Sequence, residues 1–425
     1  MSIKLNIVHS ICLIVISLNL IACAQSEWSY SANDPDIGKS PCELIESRNF
    51  ICETHWVTTS DGYILTAYRI VNPVIQKAGK KTIKPYVLQH GLFGSATHFL
   101  TNSLGGQADD WTVDQIKADL NYEGRNLAYL LANFAYDVWI VNSRGNCFSK
   151  NHTQLDPKRD SSYWRFSFDE MIAFDTPAFI DYILEKTGAE SLGWIGHSQG
   201  TLVMFGFLAE RPDYTDKVSP FVAMAPIAHV EHITSPIRYL TQIPGLMDFF
   251  FTFGGELTLP QVLVDIMAQA VCDKTVIREA CGSSLFLVCG YDAAQLNFTR
   301  VPLYFSQALG GTSAWDLLHF GQNIINKGFL KFDYGALGNL AQYGQIKPPE
   351  YNLGAIKSES IILLDSNNDP LADPEDVEIL RKSLKVPFTE YRVTDPLFSH
   401  LDFIWAMDVY NLAYKPMLEI IKKYD

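Results

Sequence analysis

Leu192-Gly193-Trp194-Ile195-Gly196-His197-Ser198-Gln199-Gly200-Thr201-Leu202-Val203-Met204-Phe205 is the stretch on which the fold turns. An apolar run leads into the serine and a longer one leads out of it, continuing through Phe207 and Leu208. The first reads as a buried strand and the second as a packed helix. Between them, Gly196, Ser198 and Gly200 have the spacing of the tight strand-to-helix turn that lifts a nucleophilic serine clear of a sheet edge. Side chains two positions either side of that serine would collide, and glycine removes the collision. The pentapeptide alone is a weak signal, so its partners must be found elsewhere in the chain.

On such a turn the acid and the histidine follow the serine in sequence. Only His400 lies beyond residue 319, which makes it the candidate base. The apolar run Ser360 to Leu364 reads as a strand, and the loop after it holds three carboxylates, Asp365, Asp369 and Asp373. Asp369 is the preferred acid, because a residue out in the loop reaches an imidazole more easily than one at the last pleat of the strand. Asp365 remains the alternative, and Asp373 before Pro374 and Glu375 reads as a helix cap. Upstream, the strand Lys84 to Gln89 runs into His90-Gly91-Leu92-Phe93-Gly94. A loop there lends a backbone N–H to an oxyanion hole, so Leu92 and Gln199 are the expected donors. His90 is expected to brace the loop.

With these residues in place the chain resembles the acid lipases, the gastric and lysosomal enzymes and their invertebrate and plant relatives. The resemblance runs from about Glu53 to the C-terminal region. Its marks are Asp61-Gly62-Tyr63-Ile64-Leu65, His90-Gly91-Leu92, Asn142-Ser143-Arg144-Gly145-Asn146, Phe166-Ser167-Phe168-Asp169-Glu170-Met171, Gly196 to Gly200, Asn368 to Pro374 and His400 to Trp405. Carried over residue by residue, it implies Ser198 as nucleophile, Asp369 as acid, His400 as base, and Leu92 and Gln199 as oxyanion donors. It also implies a disulfide between Cys272 and Cys281, with Cys289 matching an unpaired cysteine. Cys42 and Cys52 resemble a pair seen in plant relatives. Pro370 departs from the leucine of the gastric enzyme and would stiffen the acid loop. Activity at acid pH is implied by the resemblance alone, since an imidazole with an ordinary pKa of about 6.5 is largely protonated at pH 5.

Composition limits the remaining choices. The 425 residues are 48% hydrophobic, enough for one hydrolase-sized core plus an insertion. A net charge of -14 with no basic tract argues against nucleic acid and against electrostatic docking on anionic membranes. Lys4, the apolar run Ile11 to Ile16 and the small residues Ala22-Cys23-Ala24 read as a signal peptide over residues 1–24, too short to make a stable transmembrane anchor. Secretion makes disulfides reasonable, and Asn151 and Asn297 begin glycosylation sequons. No zinc pattern stands out among the cysteines and histidines.

Alternating strand-like and helix-like segments predict the α/β class, specifically an α/β-hydrolase fold with a mostly parallel central sheet, helices on both faces and an inserted cap carrying a lid. The expected organisation is a first core part over 25–228, a cap over 229–352 and a second core part over 353–425. Phe249-Phe250-Phe251-Thr252-Phe253 in the cap reads either as cap core or as apolar surface uncovered when a lid opens. The function expected is a secreted or lysosomal serine lipase acting on triacylglycerols or steryl esters at an oil–water or membrane interface, with no cofactor or metal. A carboxylesterase or acyltransferase, or a lipid-binding protein without activity, are the alternatives.

Overall fold

The computed structural model describes residues 34–109, 124–257, 285–307 and 310–425. The expected signal peptide, and Cys272 with Cys281, lie outside them. Eight strands form one sheet: β1 (Ile51–Thr58), β2 (Ile64–Val71), β3 (Pro85–Gln89), β4 (Asp137–Val141), β5 (Leu192–His197), β6 (Val218–Met224), β9 (Ile361–Asp365) and β10 (Phe388–Arg392). The other two, β7 (Glu256–Leu257) and β8 (Thr312–Ser313), form a small antiparallel pair of their own. The large sheet runs in the order β1-β2-β4-β3-β5-β6-β9-β10. Its first two strands join antiparallel, and every pairing from β4 to β10 is parallel.

Burial explains the composition of the central strands. Each residue of β3, β4, β5 and β9 is buried, as a parallel strand must be when helices cover both faces of the sheet. That is why these strands read as unbroken apolar runs rather than alternating ones. The helix Gln199–Glu210 behaves likewise, with only Glu210 leaving the core. The helix Thr176–Thr187 is instead amphipathic and stops at Gly188, whose φ of 68° supplies the left-handed cap.

Two of the recurring sequence motifs are structural. Arg144 is 1% exposed, donates from Nη1 to Asp61 at 2.7 Å and from Nε to Asp175 at 2.8 Å, and lies 4.0 Å over the Tyr63 ring. A buried guanidinium is tolerated because both carboxylates satisfy it. Among the described residues a disulfide joins Cys42 to Cys52, tying the short helix Pro41–Glu46 to β1.

Between β6 and β9 the chain leaves the sheet. The excursion carries the helices Leu246–Thr252, Val301–Gln307, Ala314–Asn326 and Gly335–Tyr343 together with the β7–β8 pair. Its phenylalanines divide between packing and exposure. Phe249 packs tilted against Phe253 at 4.7 Å and Phe251 against Trp315 at 5.4 Å, while Phe253 is 64% exposed.

The parallel arrangement places the site. Strands β3, β5, β9 and β10 run the same way, so the loops that follow their last residues, beginning at His90, Ser198, Ser366 and Val393, emerge at one edge of the sheet.

Candidate active site

Ser198 is the residue on which the local geometry converges. Its φ of 56° and ψ of -121° lie in a region that a side chain rarely adopts, and such strain persists only where its surroundings impose it. Here the surroundings are main chain. A Cβ at Gly196 would lie 2.5 Å from Gly200 O, and one at Gly200 would lie 2.4 Å from Gln89 O. The Ser198 amide donates to Met224 O at 3.1 Å, and its carbonyl accepts from Thr201 Oγ1 at 2.7 Å. The turn is thereby fastened to β6 on one side and to the first turn of the helix on the other.

The loop after β3 closes on this turn. A Cβ at Gly91 would stand 2.8 Å from Ser198 Cβ, so glycine is what allows the loop to come so near. His90 does brace it: Nδ1 donates to Gly91 O at 2.8 Å and Nε2 accepts from the Ser143 amide at 3.2 Å. Burial holds His90 neutral, with a pKa lowered to about 4. Leu92 follows, and Phe93 turns the chain with a φ of 59°. Gln199 is the first residue of its helix, where amides lack intrahelical acceptors. Among the described residues, no hydrogen bond is made by the main-chain N–H of either Leu92 or Gln199.

His400 arrives from the loop after β10, buried to 4% exposure. Its Nδ1 faces both oxygens of Asp369, 2.8 Å from Oδ2 and 3.0 Å from Oδ1. That pairing fixes the tautomer with the proton on Nδ1 and leaves the Nε2 lone pair for another partner. Asp369 is held in turn by the amides of Leu371 and Ala372, each donating to Oδ1 at 2.8 Å. Behind it the Thr234 and Ser235 amides donate to Pro370 O at 3.0 and 3.2 Å, so the start of the insertion is fastened to the acid loop.

His400 and the Ser198 turn are linked through His197, which precedes the serine. His197 Nε2 donates to His400 O at 2.9 Å, and the two rings lie 4.9 Å apart. Burial, followed by the charge of His400, pushes the His197 pKa well below its ordinary value. No hydrogen bond joins Ser198 Oγ to His400 Nε2 among the described residues. Contacts of this kind often tighten only when substrate is bound.

The other candidate carboxylates have different work. Asp365 is paired with Arg381 at 2.9 Å and Arg392 at 2.7 Å. Asp373 caps the helix Pro374–Ser383 by accepting from the Glu375 amide at 3.0 Å. Asn151 is exposed, whereas Asn297 is half-buried and its side chain accepts from the Thr299 amide and hydroxyl. One group among the described residues, Glu231, His232 and Asp376, has ligand atoms close enough to share a cation. Its His232 Nδ1 is already hydrogen-bonded to Asp376 at 2.8 Å.

Three features of the site have no local sequence signal. Cys289 O accepts from the His400 amide at 3.1 Å, and Tyr291 O accepts from Asn368 Nδ2 at 3.1 Å, so one short segment of the insertion spans the histidine and acid loops. Gly290 sits between them, where a Cβ would lie 2.7 Å from Ser399 Cβ and 2.8 Å from Asn368 O. Asp402 accepts from both the amide and hydroxyl of Ser399, and burial raises its pKa to about 7.

This geometry has counterparts among known proteins. Residues 42–103 match the family described as the partial alpha/beta-hydrolase lipase region, and residues 85–261 match the alpha/beta hydrolase fold. The gastric triacylglycerol lipase of Rattus norvegicus is 34% identical over 393 residues, covering 91% of this chain and 93% of that protein. The lysosomal acid lipase/cholesteryl ester hydrolase of Homo sapiens is 32% identical over 398 residues, covering 93% of each. Lipase member K of Homo sapiens is 34% identical over 395 residues and 92% of each. A crystal structure from Sulfolobus solfataricus, 13% identical, superimposes with a TM-score of 0.57 over 88% of this chain and 95% of that one, a likeness of fold alone.

Proposed function

Because this chain belongs to the acid lipase family of α/β-hydrolases and is a carboxylic ester hydrolase of the triacylglycerol lipase type, we propose that Ser198, His400 and Asp369 carry out its acyl transfer. The observation that supports this most is the His400–Asp369 pair, 2.8 Å apart and buried, reached from the strained Ser198 turn through His197. In the proposed reaction His400 Nε2 takes the hydroxyl proton of Ser198 as Oγ attacks the ester carbonyl. Asp369 holds the imidazole in its tautomer and offsets the positive charge it gains. The Leu92 and Gln199 amides receive the oxyanion, each such donor being worth about 3 to 4 kcal/mol. His400 then returns its proton to the departing alcohol, and water repeats the cycle to release the fatty acid.

The substrates in this reading are triacylglycerols and steryl esters, after the names of the gastric and lysosomal relatives. The segment 229–352 acts as a cap, and the exposed Phe253 end of the helix Leu246–Thr252 belongs to a lid that meets lipid. A leader over residues 1–24 would send the protein into the secretory route, to the outside or to lysosomes. Among the described residues no helix is long and apolar enough to cross a membrane. The test is fatty-acid release from emulsified triacylglycerol and from a cholesteryl ester between pH 4 and 8, with Ser198→Ala beside the wild type. Release lost in the variant is expected; cleavage of short soluble esters alone would reduce the assignment to a carboxylesterase.

A further inference from the structure

Gln199 has two functional ends. Its main-chain N–H is an oxyanion donor in the reading above, and its side chain points to the insertion instead. Nε2 donates to Asp316 Oδ2 at 2.9 Å, across 117 positions of sequence, and lies 3.3 Å from Met171 Sδ. Asp316 is in the first turn of the helix Ala314–Asn326 and is 0% exposed. The same Oδ2 accepts from Thr312 Oγ1 at 2.8 Å, while Ser313 Oγ caps the Asp316 amide at 3.1 Å and itself donates to Phe166 O. One carboxyl therefore joins the nucleophile helix to the insertion, at a point that Ser313 fastens to the core segment at Phe166.

The chemistry of this carboxyl is unusual for a purely structural residue. Among the described residues no Lys, Arg or His pairs with it; its partners are the Gln199 and Thr312 side chains and the Phe168 main-chain N–H, all uncharged. Burying a carboxyl among uncharged donors alone, with no cation beside it, is expensive.

We propose that Asp316 is a positioning residue for the oxyanion hole: by gripping the Gln199 side chain it fixes the first turn of the nucleophile helix and makes the donor's aim depend on the insertion being seated. The proposal rests on the assignment of Gln199 as an oxyanion donor. Displacement of about 1 Å at such a donor is enough to lower a rate about 100-fold. The contact is also sensitive to pH. Burial raises the Asp316 pKa to about 7, so the group is neutral in acid and becomes an enclosed anion in the neutral to alkaline range. The titratable groups that face it are Glu170, whose own pKa is raised by burial, and His319 one turn along the same helix, held neutral with a pKa of about 3. Its contacts on the nucleophile helix and on β8 are the uncharged Gln199 and Thr312.

The experiment measures kcat and KM on a soluble p-nitrophenyl ester from pH 4 to 9 for wild type, Asp316→Ala, Asp316→Asn, Gln199→Met and the Asp316→Ala/Gln199→Met pair, with Ser198→Ala as blank. Asp316→Ala is expected to lower kcat by about 10-fold or more with KM within about twofold, as expected for an interaction made in the transition state. Asp316→Asn, which keeps the acceptor oxygen, is expected to recover most of kcat at pH 5 and to hold it further above pH 7 than the wild type does. The double variant should lose no more than the worse single one, because both changes cut the same contact. Unchanged kcat in Asp316→Ala, or losses that multiply in the double variant, would overturn the proposal. Should the alanine variant fail to fold, an alkaline limb that Asp316→Asn leaves in place would overturn it equally. Wild-type silence on this ester and on the emulsified triacylglycerol and cholesteryl ester alike would instead refute the hydrolase assignment, and the positioning role with it.

Discussion

Whether the serine turn can close is decided by single β carbons. At Gly200 the clash would be with Gln89 O at 2.4 Å, and at Gly196 with Gly200 O at 2.5 Å, both main-chain atoms with no freedom to swing aside. Gly200→Ala is therefore expected to cost more than about 3 kcal/mol, because the strand after which Leu92 is placed must move. Its urea midpoint should fall accordingly, and a midpoint equal to that of the wild type would show that the turn is looser than described. The glycine-bounded turn at Ser198 and the placing of His400 after it were legible in sequence because spacing and chain order carry that information. The carboxylate that meets His400 was legible only in part. Asp365 stood as an alternative to Asp369 until Arg381 and Arg392 were seen to occupy it, and those partners lie 16 and 27 positions away. The bond from His197 to His400 O was invisible for the same reason, since nothing within the pentapeptide points to a carbonyl 203 residues on.

At the scale of elements, the alternation of strands and helices revealed the sheet, and the direction of the strands explains why four loops meet at one edge. The fully buried strands were readable as apolar runs. The insertion was less so: its helices lack a shared period with the core, and its two-residue β7–β8 pair is too short to leave a pattern. The segment Cys289 to Tyr291, which holds the histidine and acid loops together, shows nothing in its own sequence to announce that role. The phenylalanine run proved to be mixed, most of it packed and Phe253 exposed. If that end of the helix adsorbs to lipid, Phe253→Asp should lower the rate on emulsified triacylglycerol several-fold and leave a soluble ester nearly untouched. Equal loss on both substrates would place Phe253 in the support of the active site rather than at the interface.

Over the whole molecule, two sets of buried groups oppose each other as pH changes. The carboxyls of Asp169, at about 6, and of Asp316 and Asp402, each at about 7, are raised mainly by burial. A raised carboxyl contributes stability that is complete below its unfolded pKa of about 4 and disappears as pH climbs through the folded value. The buried histidines His90, at about 4, and His98 and His319, at about 3, are lowered by burial and act in the other direction. Their contribution is present above about pH 6.5 and disappears as pH falls through the folded values. The two slopes offset each other between about pH 4 and 6.5, so the total profile there is shallow and single variants reveal it better. Asn at position 402 can still accept from Ser399 through one oxygen without ever ionising. The melting temperature of Asp402→Asn relative to wild type should rise between pH 5 and 7.5; a difference that stays constant would mean that Asp402 does not titrate in this range.

In the proposed mechanism Ser198, activated by His400 and Asp369, is the residue acylated during ester cleavage. This is tested most directly by treating the protein with a p-nitrophenyl alkylphosphonate, which leaves a stable adduct on an activated serine, and mapping the modified peptide by mass spectrometry. A single phosphonyl group on Ser198 is expected, absent from Ser198→Ala and strongly slowed in His400→Ala. An adduct on another residue, or labelling of Ser198→Ala at the wild-type rate, would contradict it.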